Sequence, residues 1–250
     1  MGAYDIIPIS EYDLDVERFS ERLANSLENE GVAEISGINQ KRLGKLYREV
    51  GKIFDSSLKY KFDFGEFQGY NYESEAPRET FDFPGEMDID RETLEENGLS
   101  ISGEEWPTDK YFPGLRPIIS EVYAELDNIG RKIRAWSEVY SGMEFGINQM
   151  DSLGVVGYSS GSKVEAHKDD RVLATLVTRS THPGLEGKIN GRWVPLRAHE
   201  GNVIVIPSEF ESKKRDKRIC ALEHRVSVPE RIKGRRYVGL FEIKDPYTIF

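Results

Sequence analysis

Apolar residues recur at helical spacing along the first sixty positions. In DVERFSERLANSLENEG, Val16, Phe19, Leu23 and Leu27 fall on one stripe, and Gly31 stands where a helix would stop. A second stretch, from Gln40 to about Tyr60, puts Leu43, Leu46, Val50 and Phe54 on one side. The segment from Gly65 to Asp109 is rich in Gly, Pro and acids, which predicts irregular loop with one short strand. RPIISEVYAELDNIGRKIRAWSEVYSG then predicts a long helix. Pro117 suits its first turn, Val122, Leu126, Ile129, Ile133 and Trp136 form its stripe, and Gly142 ends it.

Beyond about residue 150 the period changes. Short β-branched runs follow one another between Gly, Pro and charged turns: LGVVGY, RVLATLVT, GKINGRWVPL, GNVIVIP, ICALEHRVSV and RRYVGLFEI. Asn190-Gly191 predicts a type I′ hairpin turn, since both residues tolerate positive φ. VIVI is apolar at every position, so that strand should be covered on both faces. Six such runs without intervening helices predict a sandwich or barrel, flanked by the earlier helices within the same domain. There is no internal repeat and no Pro/Ser linker.

Composition narrows the class. Hydrophobic residues at 38% and charged residues at 31% suit a soluble globular chain, and no apolar run approaches the length of a membrane span. The opening residues lack a basic region followed by an apolar one, so no secretory signal is expected. Met1-Gly2 invites a myristoylation reading, but Ile6 stands where Ser or Thr is wanted. A single cysteine, Cys220, excludes an internal disulfide framework and a cysteine-based zinc site, and points to a reducing cytoplasm. The net charge of −10 argues against nucleic acid as a partner. It is unevenly spread: residues 1–115 carry 26 acidic and 12 basic side chains, residues 116–250 carry 18 and 22. The basic excess favours an anionic small molecule in the second half.

That half contains SKVEAHKDDRVLATLV. In a strand, His167 and Asp169 would face one side together and Lys168 the other. His224 lies 55 positions after Asp169 in another candidate strand, which a barrel can bring alongside. Two imidazoles and one carboxylate on one face of a metal make the facial triad of non-haem Fe(II) enzymes, with open positions opposite. Taken alone, H-x-D also occurs on solvated surfaces, and a lone histidine is more often structural.

The order of the surrounding pieces separates these readings. AHKDDRVLATLV, INGRWVPL, EGNVIVIPSEF, LEHRVSV and RRYVGLFEI follow one another as in the iron- and 2-oxoglutarate-dependent dioxygenases of the isopenicillin N synthase-like class, which the chain resembles. Upstream, YDIIPIS is similar to that family's opening strand, FQGYNYESEAPRETFDFPG to its Gly-Tyr loop and Phe-Asp segment, and WPTDKYFPGLRPIISEVYAELDNIGRKI to its Trp-Pro and long-helix segment. Each fragment is weak, but the ordered set covers nearly the whole chain.

The resemblance implies a mostly β fold with flanking helices: a double-stranded β-helix, or jelly-roll, core over residues 151–250, preceded by a helical portion over 1–150, in one domain. It implies Fe(II) held by His167, Asp169 and His224, with 2-oxoglutarate as cosubstrate, O₂ as oxidant and a small molecule as substrate. In the family an Arg-x-Ser pair holds the far carboxylate of 2-oxoglutarate; here the stretch is Arg236-Tyr237-Val238, and Val238 lacks the hydroxyl. That departure keeps open an iron oxidase that does not use 2-oxoglutarate. A barrel that binds metal or a small acid without turnover is a third reading. The carboxylate at Asp169 fits hydroxylation, desaturation or cyclisation better than halogenation.

Tyr158 stands nine positions before His167, either as a ligand of the cosubstrate or as a core aromatic. Tyr70, Arg78 and Phe81 fall in the stretch that resembles the family's substrate-facing region, with Arg78 able to meet a substrate carboxylate or to pair with the acids around it. His182 and His199 adjoin turn residues and read as loop positions. The basic run 212–218 reads as a solvated turn, Arg225 as an outward ion pair, and Cys220 as a buried thiol.

Overall fold

The structure is a computed structural model that describes residues 5–64, 68–74, 77–84, 108–142, 151–170, 172–208, 219 and 221–244. Cys220 and the basic run 212–218 lie outside these residues. No helix among the described residues is long and apolar enough to cross a membrane.

The chain begins with β1 (Ile6–Pro8), α1 (Ile9–Leu14), α2 (Val16–Glu30), β2 (Ala33–Ser36) and α3 (Gln40–Phe54). The Asp15 carboxylate caps α2 by accepting from the Arg18 N–H, and Gly31 closes it in the left-handed conformation at φ 70°. Asn39 caps α3 by accepting from the N–H groups of Lys41 and Arg42. This helix stops at Phe54, six residues before the periodicity suggested. In DSS the side chains compete for the backbone: Ser56 Oγ accepts from the Leu58 N–H at 3.0 Å, and a 3-10 turn, Lys59–Phe62, follows. The long helix α4 (Leu115–Ser141) has its expected extent and apolar stripe.

The segment after Gly65 departs from expectation. Among its described residues it forms not a loop with one short strand but a hairpin, β3 (Gly69–Glu73) and β4 (Arg78–Pro84), with β4 laid against β5 (Ser152–Tyr158). Its Gly, Pro and acid content masks strands whose order comes from pairing with a neighbour rather than from their own propensity. The stretch before residue 150 therefore supplies four strands, β1 to β4, as well as helices.

The remaining strands are β6 (Lys163–His167), β7 (Val172–Thr178), β8 (Leu185–Ile189), β9 (Arg192–Pro195), β10 (Asn202–Pro207), β11 (His224–Ser227) and β12 (Arg236–Lys244). One sheet has the order β1-β2-β10-β7-β12-β5-β4-β3, the other β6-β11-β8-β9. From β5 onward the chain passes back and forth between them, which is the winding of a jelly roll. Asn190 and Gly191, both at positive φ, make the β8–β9 turn.

Strand alternation divides the core in two. Leu153, Val155, Leu176, Val203, Val205, Phe241 and Ile243 face the helices, packing with Leu126, Ile129 and Ile133 of α4 and with Leu46, Val50 and Phe54 of α3. Val156, Val177, Ile204 and Val238 face the smaller sheet and meet Leu185, Ile189 and Val226. Each fully buried aliphatic side chain contributes roughly 1.5–3 kcal/mol, so the helix layer braces the large sheet. Its inner face is left to shape a site.

Candidate active site

His224 and His167 are direct partners across the antiparallel β11–β6 ladder, with ring centroids 4.4 Å apart. Each Nδ1 lies by the carbonyl two residues back: His167 Nδ1 is 2.9 Å from Glu165 O and His224 Nδ1 is 3.1 Å from Leu222 O. A carbonyl only accepts, so both Nδ1 atoms donate and Nε2 is the ring atom left to face a metal. Asp169, just past the end of β6, brings Oδ1 to 3.8 Å from His167 Nε2 and 3.5 Å from His224 Nε2. Those separations are too long for strong hydrogen bonds, yet the three ligand atoms lie within 4.8 Å of one another. Thr175 Oγ1 donates to Asp169 Oδ2 at 2.7 Å and turns Oδ1 toward the imidazoles. Burial pushes the His224 pKa below its ordinary value, which keeps that imidazole neutral. Three lone pairs converging on one point suit a divalent cation.

A cavity of about 480 Å³ extends from these three residues over the inner face of the large sheet. At its other end Arg78 of β4, Tyr158 of β5 and Arg236 of β12 stand side by side in register. Arg236 is only 2% exposed. Its Nε donates to the His182 carbonyl at 3.1 Å, its guanidinium lies 5.2 Å from the Tyr158 ring centroid, and Nη1 has no hydrogen-bond partner among the described residues. Burial lowers its pKa, and no carboxylate among the described residues pairs with it. A desolvated guanidinium without a counter-ion is unfavourable alone and is a prepared seat for an anion. Val238 faces the same cavity and is almost wholly buried, with no hydroxyl to add. Tyr158 is packed in the inner core with its ring set against the arginine.

The structure separates the three substrate-facing candidates. Arg78 lines the cavity, ion-paired to Glu73. Tyr70 and Phe81 do not: both belong to the core on the helix side, where Tyr70 OH donates to Glu79 and Phe81 stacks near Phe83. With β4 a strand, alternation sends Arg78, Thr80 and Asp82 inward and Glu79, Phe81 and Phe83 outward. Thr80 and Asp82, together with Asn71 of β3, line the cavity and were not anticipated. Reading RETFDFP with period two would have found the β4 pair. Arg225 pairs with Glu186 and stacks on Trp193. His182 serves through its backbone carbonyl, and the His199 ring pairs with Glu34, which is fully buried on β2.

No family model matches the chain, and no curated protein matches it by sequence. Solved structures match its fold. A 2OG-Fe(II) oxygenase family protein from Caulobacter crescentus superposes with a TM-score of 0.75 at 20% identity, over 98% of this chain and 87% of that one. AtDAO1, a dioxygenase for auxin oxidation from Arabidopsis thaliana in a binary complex with 2-oxoglutarate, gives 0.74 at 14% identity, over 98% and 94%. The dioxygenase for auxin oxidation in rice gives 0.72 at 16% identity, over 98% and 84%. At these identities the likeness is one of fold.

Proposed function

We propose that the protein is a mononuclear non-haem Fe(II) oxygenase that uses O₂ and 2-oxoglutarate to hydroxylate, desaturate or cyclise a small polar metabolite, anionic or amino-acid-like. One observation carries this reading: a His-Asp-His lone-pair cluster and a buried arginine with an unsatisfied donor share one cavity inside a jelly roll. Iron bound with 2-oxoglutarate and O₂ supplies the oxidising power for a C–H bond. The residues of this chain do the rest. His167, Asp169 and His224 would hold the metal. Arg236, held by the His182 carbonyl and backed by Tyr158, receives the far carboxylate of the cosubstrate. The cavity-lining residues of β3 and β4 would meet the substrate.

On this reading residues 151–250 are the catalytic core of a single domain and the preceding residues brace it. A reducing cytoplasm suits the lone cysteine and a ferrous ion, and the net charge of −10 disfavours nucleic acid as substrate. Val238 sustains one rival, an iron oxidase that takes all its electrons from the substrate.

The test is simultaneous measurement of O₂ uptake and succinate in Fe(II)-loaded protein with 2-oxoglutarate across a panel of small polar metabolites. Succinate formed one-for-one with O₂ supports the proposal. O₂ uptake without succinate supports the oxidase. Bound metal with no O₂ uptake supports a non-catalytic barrel.

A further inference from the structure

The cavity wall formed by β4 carries a carboxylate to which the oxygenase reading gives no specific partner. Asp82 stands in register with Gly154 of β5, and Gly154 in turn with Leu240 of β12; all three line the cavity. A Cβ on Gly154 would lie 2.5 Å from Asp82 Oδ1. Asp82 Oδ1 therefore occupies the space that a side chain at residue 154 would fill, on the cavity-facing side of β5. Glycine inside a fully buried strand weakens that strand, and here it gives the Asp82 carboxylate its place on the cavity floor.

The two oxygens of Asp82 are unequally served. Oδ2 accepts from Thr80 Oγ1 at 3.2 Å. Oδ1 has no hydrogen-bond partner among the described residues. The nearby bases are engaged elsewhere, Arg78 by Glu73 and Lys244 by Glu242. Glu242 lines the same cavity and adds negative field at Asp82. Burial, with Glu242 second, pushes the Asp82 carboxyl up to about 6.

From this placement we infer that Asp82 is a substrate-positioning residue that receives a protonated amine of the substrate. The inference rests on the oxygenase reading and chooses within it: the substrate carries a cationic nitrogen, as an amino-acid-like molecule does. The anionic seat of the cavity is Arg236, at the far end, and it is taken by the cosubstrate. A neutral hydroxyl on Asp82 would leave its charge facing Glu242 uncompensated, whereas an ammonium offsets both carboxylates and supplies the missing donor to Oδ1.

The experiment uses the full chain loaded anaerobically with Fe(II) and 2-oxoglutarate. The probes are n-alkylammonium ions of four to eight carbons and n-alkanoates of the same lengths. Binding is read from paramagnetic broadening of the probe protons, which also reports nearness to the metal. The ammonium series is expected to bind near the iron and the alkanoates at least tenfold more weakly. Asp82→Asn should reduce ammonium affinity at least tenfold and leave alkanoates unchanged. Gly154→Ala, which keeps the charge but displaces the carboxylate, should do the same. Equal affinity of the two series, or ammonium binding unchanged in both variants, overturns the inference. The visible absorption of the iron–2-oxoglutarate chelate, recorded on the same samples, separates the two levels. With that band present and no ammonium preference, the assignment of Asp82 alone fails. With the band absent, the oxygenase reading fails, whatever the probes do.

Discussion

Thr175→Val removes one hydroxyl and tests whether the metal site is held from behind. Thr175 lies in the middle of β7, 7% exposed, and its Oγ1 donates to Asp169 Oδ2 at 2.7 Å. Asp169 sits beyond the end of β6, so no strand pairing fixes its orientation. A hydrogen bond to a charged group contributes roughly 1.5–3 kcal/mol. Loss of a partner that orients a metal ligand weakens metal binding by about 10- to 100-fold, the same range in free energy. Valine keeps the β-branched shape and the strand, so the metal-free protein should unfold within ~1 kcal/mol of wild type. Anaerobic calorimetric titration with Fe(II) at neutral pH reads the affinity, and thermal unfolding of the metal-free protein reads the control. Thr175→Ser should restore most of the affinity. A valine variant that binds Fe(II) within about threefold of wild type would refute the reasoning, and the backbone around Lys168 and Asp169 would then set the ligand.

Arg236→Met should lower 2-oxoglutarate affinity at least tenfold without lowering the unfolding temperature of the free protein, because the guanidinium it removes is buried with an unsatisfied Nη1; a titration followed by the chelate absorption, beside a melting curve, checks both parts. Val238→Ser should tighten 2-oxoglutarate binding by about tenfold while weakening the fold by ~1 kcal/mol through lost apolar burial; unchanged affinity would show that the hydroxyl is not what the cavity lacks. Asp82 ionises at about 6 in the folded protein against an ordinary 3.8. The folded state thus keeps a proton that the unfolded state has already released, and wild-type stability falls as pH rises through that window. Asp82→Asn should remove the slope: equal to wild type below the ordinary value, and more stable by about 1–3 kcal/mol above the raised one, as urea unfolding across pH would show.

Much of the second half was legible because its signals are local. Asn190-Gly191 states its turn, VIVI its two-sided burial, and His167, Asp169 and His224 need only the strand pairing that a barrel provides. Arg236 is legible only through resemblance to a known motif; its burial and its unsatisfied Nη1 have no local signal. The β3–β4 hairpin was missed because its sequence is poor in strand formers and takes its order from β5, a strand distant in the chain. That one omission explains the misplacement of Tyr70 and Phe81 and the silence about Asp82, since a single assignment of strand phase decides which face all of them take. The early end of α3 has a legible cause in Ser56, which the continuing apolar spacing conceals. Glu34, buried beneath His199 and Asn202, has no local signal at all, because its three donors come from residues 165 or more positions away.

On the proposed function, His167, Asp169 and His224 would hold one ferrous ion and Arg236 the far carboxylate of 2-oxoglutarate. The most direct test is the anaerobic visible spectrum of the protein with Fe(II), before and after 2-oxoglutarate. A weak charge-transfer band should grow in with 2-oxoglutarate in the wild type and be lost in His224→Ala. No band in the wild type, or an undiminished one in His224→Ala, would contradict it.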